Sequence, residues 1–455
     1  MKLGSMTEEQ FSEWCKLIED GKCDELKDIL FNIELKPFQT LLTRWITIVK
    51  TFICTLDTGL GKTVIASAVM VWLRENKGYK KFLYVAENAG LSQTAIKIRG
   101  YTGFNIRVCN ATTESASSLI VSDGNFDVLL ISYQALQSYG VAAYLVANID
   151  DFNIAIFDEC QWLSELNNSN TWEITKQMRK YFEYFVMFSS TPFKTNPMQL
   201  LKQVELLDYK ILGNINKYIK DKCSRDLVYG ITDWFGLETI KKDLTVFVNG
   251  FTREELDIEI CYEPHAIITL PTINQIEVEP KTMYKIKSDT NAESFAKVVS
   301  IIEDNIIEFR QGIIYCSTNN NKALLRDELL NHGISVEVID GTLSNKKERR
   351  LIQQRYLDGE ISVLIVNITT TLDLPSSYCI FYELCDAGTM IQFIGRCVRG
   401  LEDSNLTVYY MIVDGTYEVE YFYNCVYKKS KYLQGILGKD EKLMSAIKKQ
   451  IDLEL

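Results

Sequence analysis

The chain has 455 residues, 47% hydrophobic and 24% charged, a balance that excludes a largely disordered protein and predicts roughly two to four compact units. A net charge of −11 excludes a uniformly basic nucleic-acid coat, while leaving room for a locally positive groove. Twelve cysteines without a C-x-x-C pair, and two histidines (His265 and His332), provide no metal-ligand spacing; reduced thiols in a cytoplasmic interior, or a nuclear one in a eukaryote, are expected.

The first residues lack an apolar core, so no secretory leader is expected, and no apolar run is long enough to span a membrane. Residues 7–32 read as amphipathic helix: Phe11, Trp14, Cys15 and Ile18 follow helical spacing, as do Leu26, Ile29 and Leu30. From Leu35 the texture changes to short apolar strands at 51–56, 81–86, 127–132, 153–158 and 184–189. Helical stretches separate them, for instance 63–75 and 171–182. Near-continuous apolar strands suit a parallel sheet buried on both faces. Residues 205–270 break the rhythm, with more Lys and Asp, and read as an inserted helical or linker section in which a hairpin could lie. A second α/β unit follows, with strands near 311–316, 335–339, 361–366, 378–382 and 407–412, and helices at 321–332, 346–357 and 388–399.

The first strand runs into Asp57-Thr58-Gly59-Leu60-Gly61-Lys62-Thr63 and then into a helix. Glycines let successive backbone N–H groups converge on phosphate oxygens, and the helix N-terminus adds the positive end of its dipole. Lys62 is placed to reach the β and γ phosphates of ATP, and the Thr63 hydroxyl to ligate Mg²⁺. A strict phosphate-loop pattern has glycine where Leu56 stands. The fourth strand ends in Asp158-Glu159-Cys160-Gln161. Asp158 is the second metal-ligand candidate, Glu159 the group that polarises the attacking water, and Gln161 a further catalytic candidate.

The order L-K-P-F-Q (Leu35 to Gln39) with Trp45, then G-L-G-K-T, D-E-C-Q and S-S-T-P (Ser189 to Pro192), resembles the first lobe of superfamily 2 helicases. Within that group it is most similar to the Swi/Snf-type DNA translocases. The resemblance implies an α/β fold of two tandem RecA-like domains. The expected limits are 1–32 for an N-terminal helical extension, 33–205 for the ATP-binding lobe, 206–270 for an insertion or linker, and 271–455 for the second lobe. It also implies that Gln39 reads the adenine edge and that Ser189, Ser190 and Thr191 couple hydrolysis to movement. Ser132 and Tyr133 resemble a motif that touches the nucleic-acid backbone.

The second half carries Gln392-Phe393-Ile394-Gly395-Arg396-Cys397-Val398-Arg399, which matches the Q-x-x-G-R-x-x-R motif of the same superfamily. Gln392 and Gly395 are expected at the nucleotide. Arg396 and Arg399, three apart on a helix and sharing a face, are the arginine-finger candidates, a device worth about 10³–10⁵ in rate. GIIYCST (312–318), IDGTLSNKKERR (339–350), LPTINQIEVEP (270–280) and Thr416-Tyr417-Glu418 resemble further motifs in order. Ser317, Thr369 and Thr370 are the nucleic-acid-contact candidates there. The segment Thr369-Thr370-Thr371-Leu372-Asp373-Leu374 lacks the glycine of the family pattern.

The expected function is ATP-dependent translocation along nucleic acid, duplex DNA rather than RNA, with little sequence specificity because phosphate contacts position without reading bases. A monomeric motor using ATP and Mg²⁺ and without membrane contact is expected. A compact motor of this kind with Lys, Asn and Ile-rich usage suits a phage or virus. The alternatives are a strand-separating helicase on DNA or RNA and, in another class, an ATP-binding scaffold without motor activity.

Overall fold

The computed structural model describes Lys16, residues 24–110, 125–163, 169–194, 196–226, 230–258, 260–269, Lys287, and residues 291–308, 310–340, 346–367, 374–398, 404–413 and 416–438. The chain forms two compact units, one of residues 1–251 with 435–437 and the other of residues 252–434 with 438–455.

In the first unit, apolar runs form β1 (Thr51–Cys54), β2 (Lys81–Ala86), β3 (Ile106–Cys109), β4 (Val128–Ser132), β5 (Phe152–Asp158), β6 (Tyr184–Phe188) and a two-residue β9 (Val248–Asn249). They make one sheet in the order β3-β4-β2-β5-β6-β1-β9, parallel at every pairing. β1, β4 and β6 are buried along their whole length, as strands covered by helices on both faces must be. Cys54 and Asp158 are both in register with Phe188, so the strand ends that precede the three motifs lie side by side. The C-terminal edge of a parallel α/β sheet is where such folds bind ligands.

The second unit carries β10 (Ile260–Thr269), β11 (Gly312–Tyr315), β12 (Val336–Ile339), β13 (Val363–Val366), β14 (Tyr378–Phe381) and β15 (Ser404–Val413). Its sheet runs β10-β15-β14-β11-β13-β12, again parallel throughout. Alternate residues along β11 and just after it enter two separate cores, Ile313 and Tyr315 one, Ile314 and Cys316 the other, so both faces of this sheet are buried too. Each unit has the parallel α/β form expected, and together they are the tandem RecA-like arrangement.

Residues 206–251 group with the first unit and supply its edge strand β9, while 252–269 group with the second unit and supply β10. Within that stretch an antiparallel hairpin pairs β7 (Cys223–Asp226) with β8 (Gly230–Trp234), anchored by buried Cys223 and Trp234 at its base. The helix expected around Leu26, Ile29 and Leu30 is only a short 3₁₀ turn over Asp24–Leu26, though Leu26 and Leu30 are buried; Phe11, Trp14, Cys15 and Ile18 lie outside the described residues.

Candidate ATP site and its comparison with known proteins

The phosphate loop is built from its glycines. Gly59 (φ 86°) and Gly61 (φ 96°) adopt left-handed backbone that side-chain-bearing residues avoid. A Cβ on Gly61 would also approach Gln39 Nε2 to 2.5 Å. Gly61 caps the helix Lys62–Lys77 without a side-chain hydrogen bond, which leaves the positive end of the helix facing the loop. Lys62 Nζ donates to the Leu56 carbonyl at 3.1 Å, so the phosphate-seeking amine closes the loop on itself at the very residue that replaces the pattern's glycine.

Gln39 lies on the helix Pro37–Val49, which begins with proline at a position where no N–H is needed. Its side chain is fixed at both ends. Oε1 accepts from Lys36 N–H at 2.9 Å, and Nε2 donates to the Leu60 carbonyl at 3.0 Å. The candidate base reader is therefore hydrogen-bonded to the phosphate loop itself.

Asp158 ends β5, and its two carboxylate oxygens have different partners. Oδ1 accepts from Glu159 N–H at 3.1 Å and Oδ2 from the Tyr84 hydroxyl at 3.2 Å. The Tyr133 hydroxyl donates to the Asp158 main-chain carbonyl at 2.7 Å. Burial, and then the neighbouring Glu159, push the Asp158 carboxyl up to about 6, although Lys62 pulls the other way. Glu159 itself sits at φ 53°, a strained left-handed position of the kind found where a side chain must be aimed. Gln161 Nε2 donates to Glu159 Oε2 at 3.0 Å, and Ser189 Oγ donates to Gln161 Oε1 at 2.7 Å. Ser189 Oγ then accepts from Thr191 N–H at 3.0 Å, and Thr58 of the phosphate loop donates to Ser190 Oγ at 3.2 Å. Glu159, Gln161 and the Ser189–Thr191 turn thus form one hydrogen-bonded chain.

The oxygen donors that would hold Mg²⁺ are of the right kind, a carboxylate at Asp158 and a hydroxyl at Thr63. The Tyr84 side chain interacts with both, so the two sit on one small patch. Neither brings a soft nitrogen or sulfur ligand.

Two residues of the ATP site carried no sequence signal. Tyr84, fully buried in the middle of β2, is one. Gln203, fully buried on the helix Pro197–Leu207, is the other: its Oε1 accepts from the Cys160 thiol at 3.2 Å and its Nε2 donates to the Pro192 carbonyl at 2.6 Å. Both are ordinary-looking residues whose partners are set by topology. Ser132 and Tyr133 are placed differently from the nucleic-acid contacts expected of them. Ser132 is fully buried, with its Oγ capping the next turn through Ala135 N–H at 2.9 Å, and Tyr133 is turned inward onto Asp158.

In the second unit, Ser317 follows β11 and Glu383 follows β14, strands paired so that Tyr315 faces Phe381. Glu383 Oε2 accepts from the Ser317 hydroxyl, from Ser317 N–H at 2.8 Å and from Thr318 N–H at 3.0 Å, while Oε1 accepts from Asn321 Nδ2 at 2.8 Å. Burial alone would raise this carboxyl, but the bonds from Ser317, Asn321 and Thr318 outweigh it and hold it below the usual range. Gln392, Gly395 and Arg396 lie on the helix Ala387–Cys397, capped by Asp386 through Thr389 N–H at 2.9 Å. The helix stops at Cys397, and Val398 is extended (φ −105°, ψ 119°) with its carbonyl held by buried Arg253 at 3.1 Å. Arg399, Thr369 and Thr370 lie outside the described residues.

Residues 11–194 match the family model of the type III restriction enzyme res subunit, and residues 293–400 match that of the helicase conserved C-terminal domain. Among solved structures, S. cerevisiae Dbp5 bound to RNA and ADP BeF3 aligns with a TM-score of 0.53 at 13% identity, over 98% of each chain. A point variant of Dbp5 with the same ligands gives 0.51 at 14%, over 99% of this chain and 98% of that one. The Sulfolobus solfataricus SWI2/SNF2 ATPase core in complex with dsDNA gives 0.43 at 15%, over 92% of this chain and 97% of that one. A search of curated proteins returned no match. Both family models fall on the two units in order, the first over the phosphate loop and the Asp158–Glu159 pair, and they support a superfamily 2 helicase.

Proposed function

We propose that the chain is an ATP-driven translocase that moves along duplex DNA. The observation that carries this reading is the hydrogen-bonded chain from Glu159 through Gln161 to Ser189 and Thr191. It ties the group that would activate water to the segment that would transmit movement, a connection that a nucleotide-binding scaffold has no need of. Lys62 would leave the Leu56 carbonyl for the phosphates, and Glu159 would orient the attacking water. When bound, Mg²⁺ held by Asp158 and Thr63 would neutralise charge on the β and γ oxygens. Arg396 and Arg399 are proposed for the developing charge on the γ phosphate. Ser317, Thr369 and Thr370 are proposed for the nucleic-acid backbone. The choice of duplex DNA rests on the resemblance of the first-lobe motifs to Swi/Snf-type proteins, whose G-L-G-K-T loop this chain shares.

One observation favours a second reading, strand separation. The hairpin of β7 and β8 leaves Ser224, Arg225 and Asp233 exposed, with exposed Phe235 beside it. ATP hydrolysis measured alone and with duplex DNA, single-stranded DNA and RNA decides the substrate, with Lys62→Ala as the control. Duplex-selective stimulation is expected. Stimulation by none of the three refutes the motor. Triplex displacement set beside fork unwinding then separates tracking from unwinding.

A further inference from the structure

We propose that Tyr84 is a positioning residue for the divalent cation of ATP hydrolysis, setting the orientation of the Asp158 carboxylate through its hydroxyl. The inference rests on the reading of Asp158 and Thr63 as the metal ligands. Tyr84 is fully buried in β2, paired with Ile156 of the neighbouring β5. Phenylalanine would fill the same space with the same ring. The hydroxyl adds a donor that reaches Asp158 Oδ2, at the end of β5, at 3.2 Å and also interacts with the Thr63 side chain. One phenol thus interacts with both candidate ligands.

The need for such a brace follows from the neighbours. Asp158 stands beside Glu159, and two adjacent carboxylates repel, so an unrestrained Asp158 side chain would turn away. Two donors prevent this: Glu159 N–H fixes Oδ1 and Tyr84 fixes Oδ2, so the plane of the carboxylate is determined. Tyr133 holds the main-chain carbonyl of the same residue at 2.7 Å, which stops the backbone from following the side chain. Partners of this kind, standing behind a metal ligand, typically carry about 10- to 100-fold in metal affinity.

The test measures binding of a non-hydrolysable ATP analogue to the full chain, with Mg²⁺ and with a chelator, in four proteins. The wild type and Tyr84→Phe are compared with Asp158→Asn and with Tyr184→Phe. Tyr184 is buried in the same sheet at the opposite end of β6, where its hydroxyl donates to the Thr47 carbonyl at 3.2 Å. Tyr84→Phe is expected to lose about tenfold of the Mg²⁺-dependent tightening, with affinity in chelator unchanged. Tyr184→Phe is expected to keep the tightening in full. Wild-type tightening in Tyr84→Phe, or an equal loss in Tyr184→Phe, overturns the proposal. Full tightening in Asp158→Asn shows instead that the metal reading of Asp158 is wrong, and the proposal falls with it.

Discussion

Gln161 donates to Glu159 with its amide nitrogen and accepts from Ser189 with its amide oxygen, so one side chain is bonded to both the hydrolytic and the coupling segment. An amide offers a donor and an acceptor at this spacing without adding charge beside Glu159. Replacing it should release Glu159 from its aimed position and free Ser189 at once. Gln161→Ala is expected to lower kcat for ATP by about 100-fold, the cost of misplacing a catalytic group by an ångström or so, with little change in KM. Steady-state hydrolysis at saturating nucleic acid checks this. A change confined to KM would place Gln161 in binding instead.

A second prediction concerns Gly250, next to β9. The segment runs alongside the strand that feeds the phosphate loop: Ile53, Thr55 and Asp57 donate N–H to the carbonyls of Phe247, Asn249 and Phe251 at 2.8, 2.9 and 3.2 Å. A Cβ on Gly250 would lie 2.7 Å from the Leu56 nitrogen and 2.7 Å from the Thr55 carbonyl carbon. Backbone cannot yield as a side-chain tip can, so Gly250→Ala should push the edge segment off the loop. The expected result is a loss of about 1–3 kcal/mol in stability and severalfold weaker ATP binding, read by thermal melting and nucleotide titration. Unchanged ATP affinity would show that the loop does not depend on this edge.

Much of this was legible in the sequence because buried parallel strands write themselves as continuous apolar runs. The 81–86 run is β2 at both ends, and the other central strands fall within a few residues of their expected limits. Three of the four edge strands were not legible, the exception being β12 within its expected 335–339. β3 is buried only at its two ends, β10 contains Glu263, Pro264 and His265, and β9 is two residues long. An edge strand is half solvated and tolerates proline, so it lacks the apolar signature. The phosphate loop and Asp158–Glu159 could be found because phosphate and metal chemistry fixes residue types at fixed spacing. Tyr84 and Gln203 could not, since their roles come from strand order and helix placement. For Ser132 and Tyr133 the motif gives residue types but not direction, and here the fold turns both side chains inward.

A third prediction addresses a buried ion pair in the second unit. Lys287 and Glu418 are 3.0 Å apart and each is 1% exposed, so neither charge has water to fall back on. Lys287 Nζ also donates to the Met411 carbonyl at 2.8 Å, and Glu418 Oε2 accepts from Val413 N–H at 2.9 Å. Lys287→Met leaves Glu418 buried without its cation and should cost about 3–5 kcal/mol, whereas pairing it with Glu418→Gln should recover most of that loss. Chemical denaturation of the full chain measures both. Equal losses in the single and double variants would mean that the packing of Lys287, and not its charge, carries the effect.

The last prediction uses the sign of a shifted carboxyl. Glu383 titrates below its ordinary value of 4.5 because hydrogen bonds from Ser317, Asn321 and Thr318 outweigh the effect of its burial. A depressed carboxyl contributes stability that is present above the unfolded value and lost as pH falls through the folded one. Glu383→Gln keeps the shape but offers one carbonyl oxygen where four donors now converge, and the buried donors left without an acceptor cost about 1–3 kcal/mol. At neutral pH the variant should therefore melt below the wild type. On acidification through its lowered folded-state value, where the wild-type carboxylate also gains its proton, the gap should narrow. Melting curves of both proteins across that range test the sign. A gap that stays constant with pH would show that geometry alone, and not the charge on Glu383, holds the turn of Ser317 and Thr318 against the end of β14.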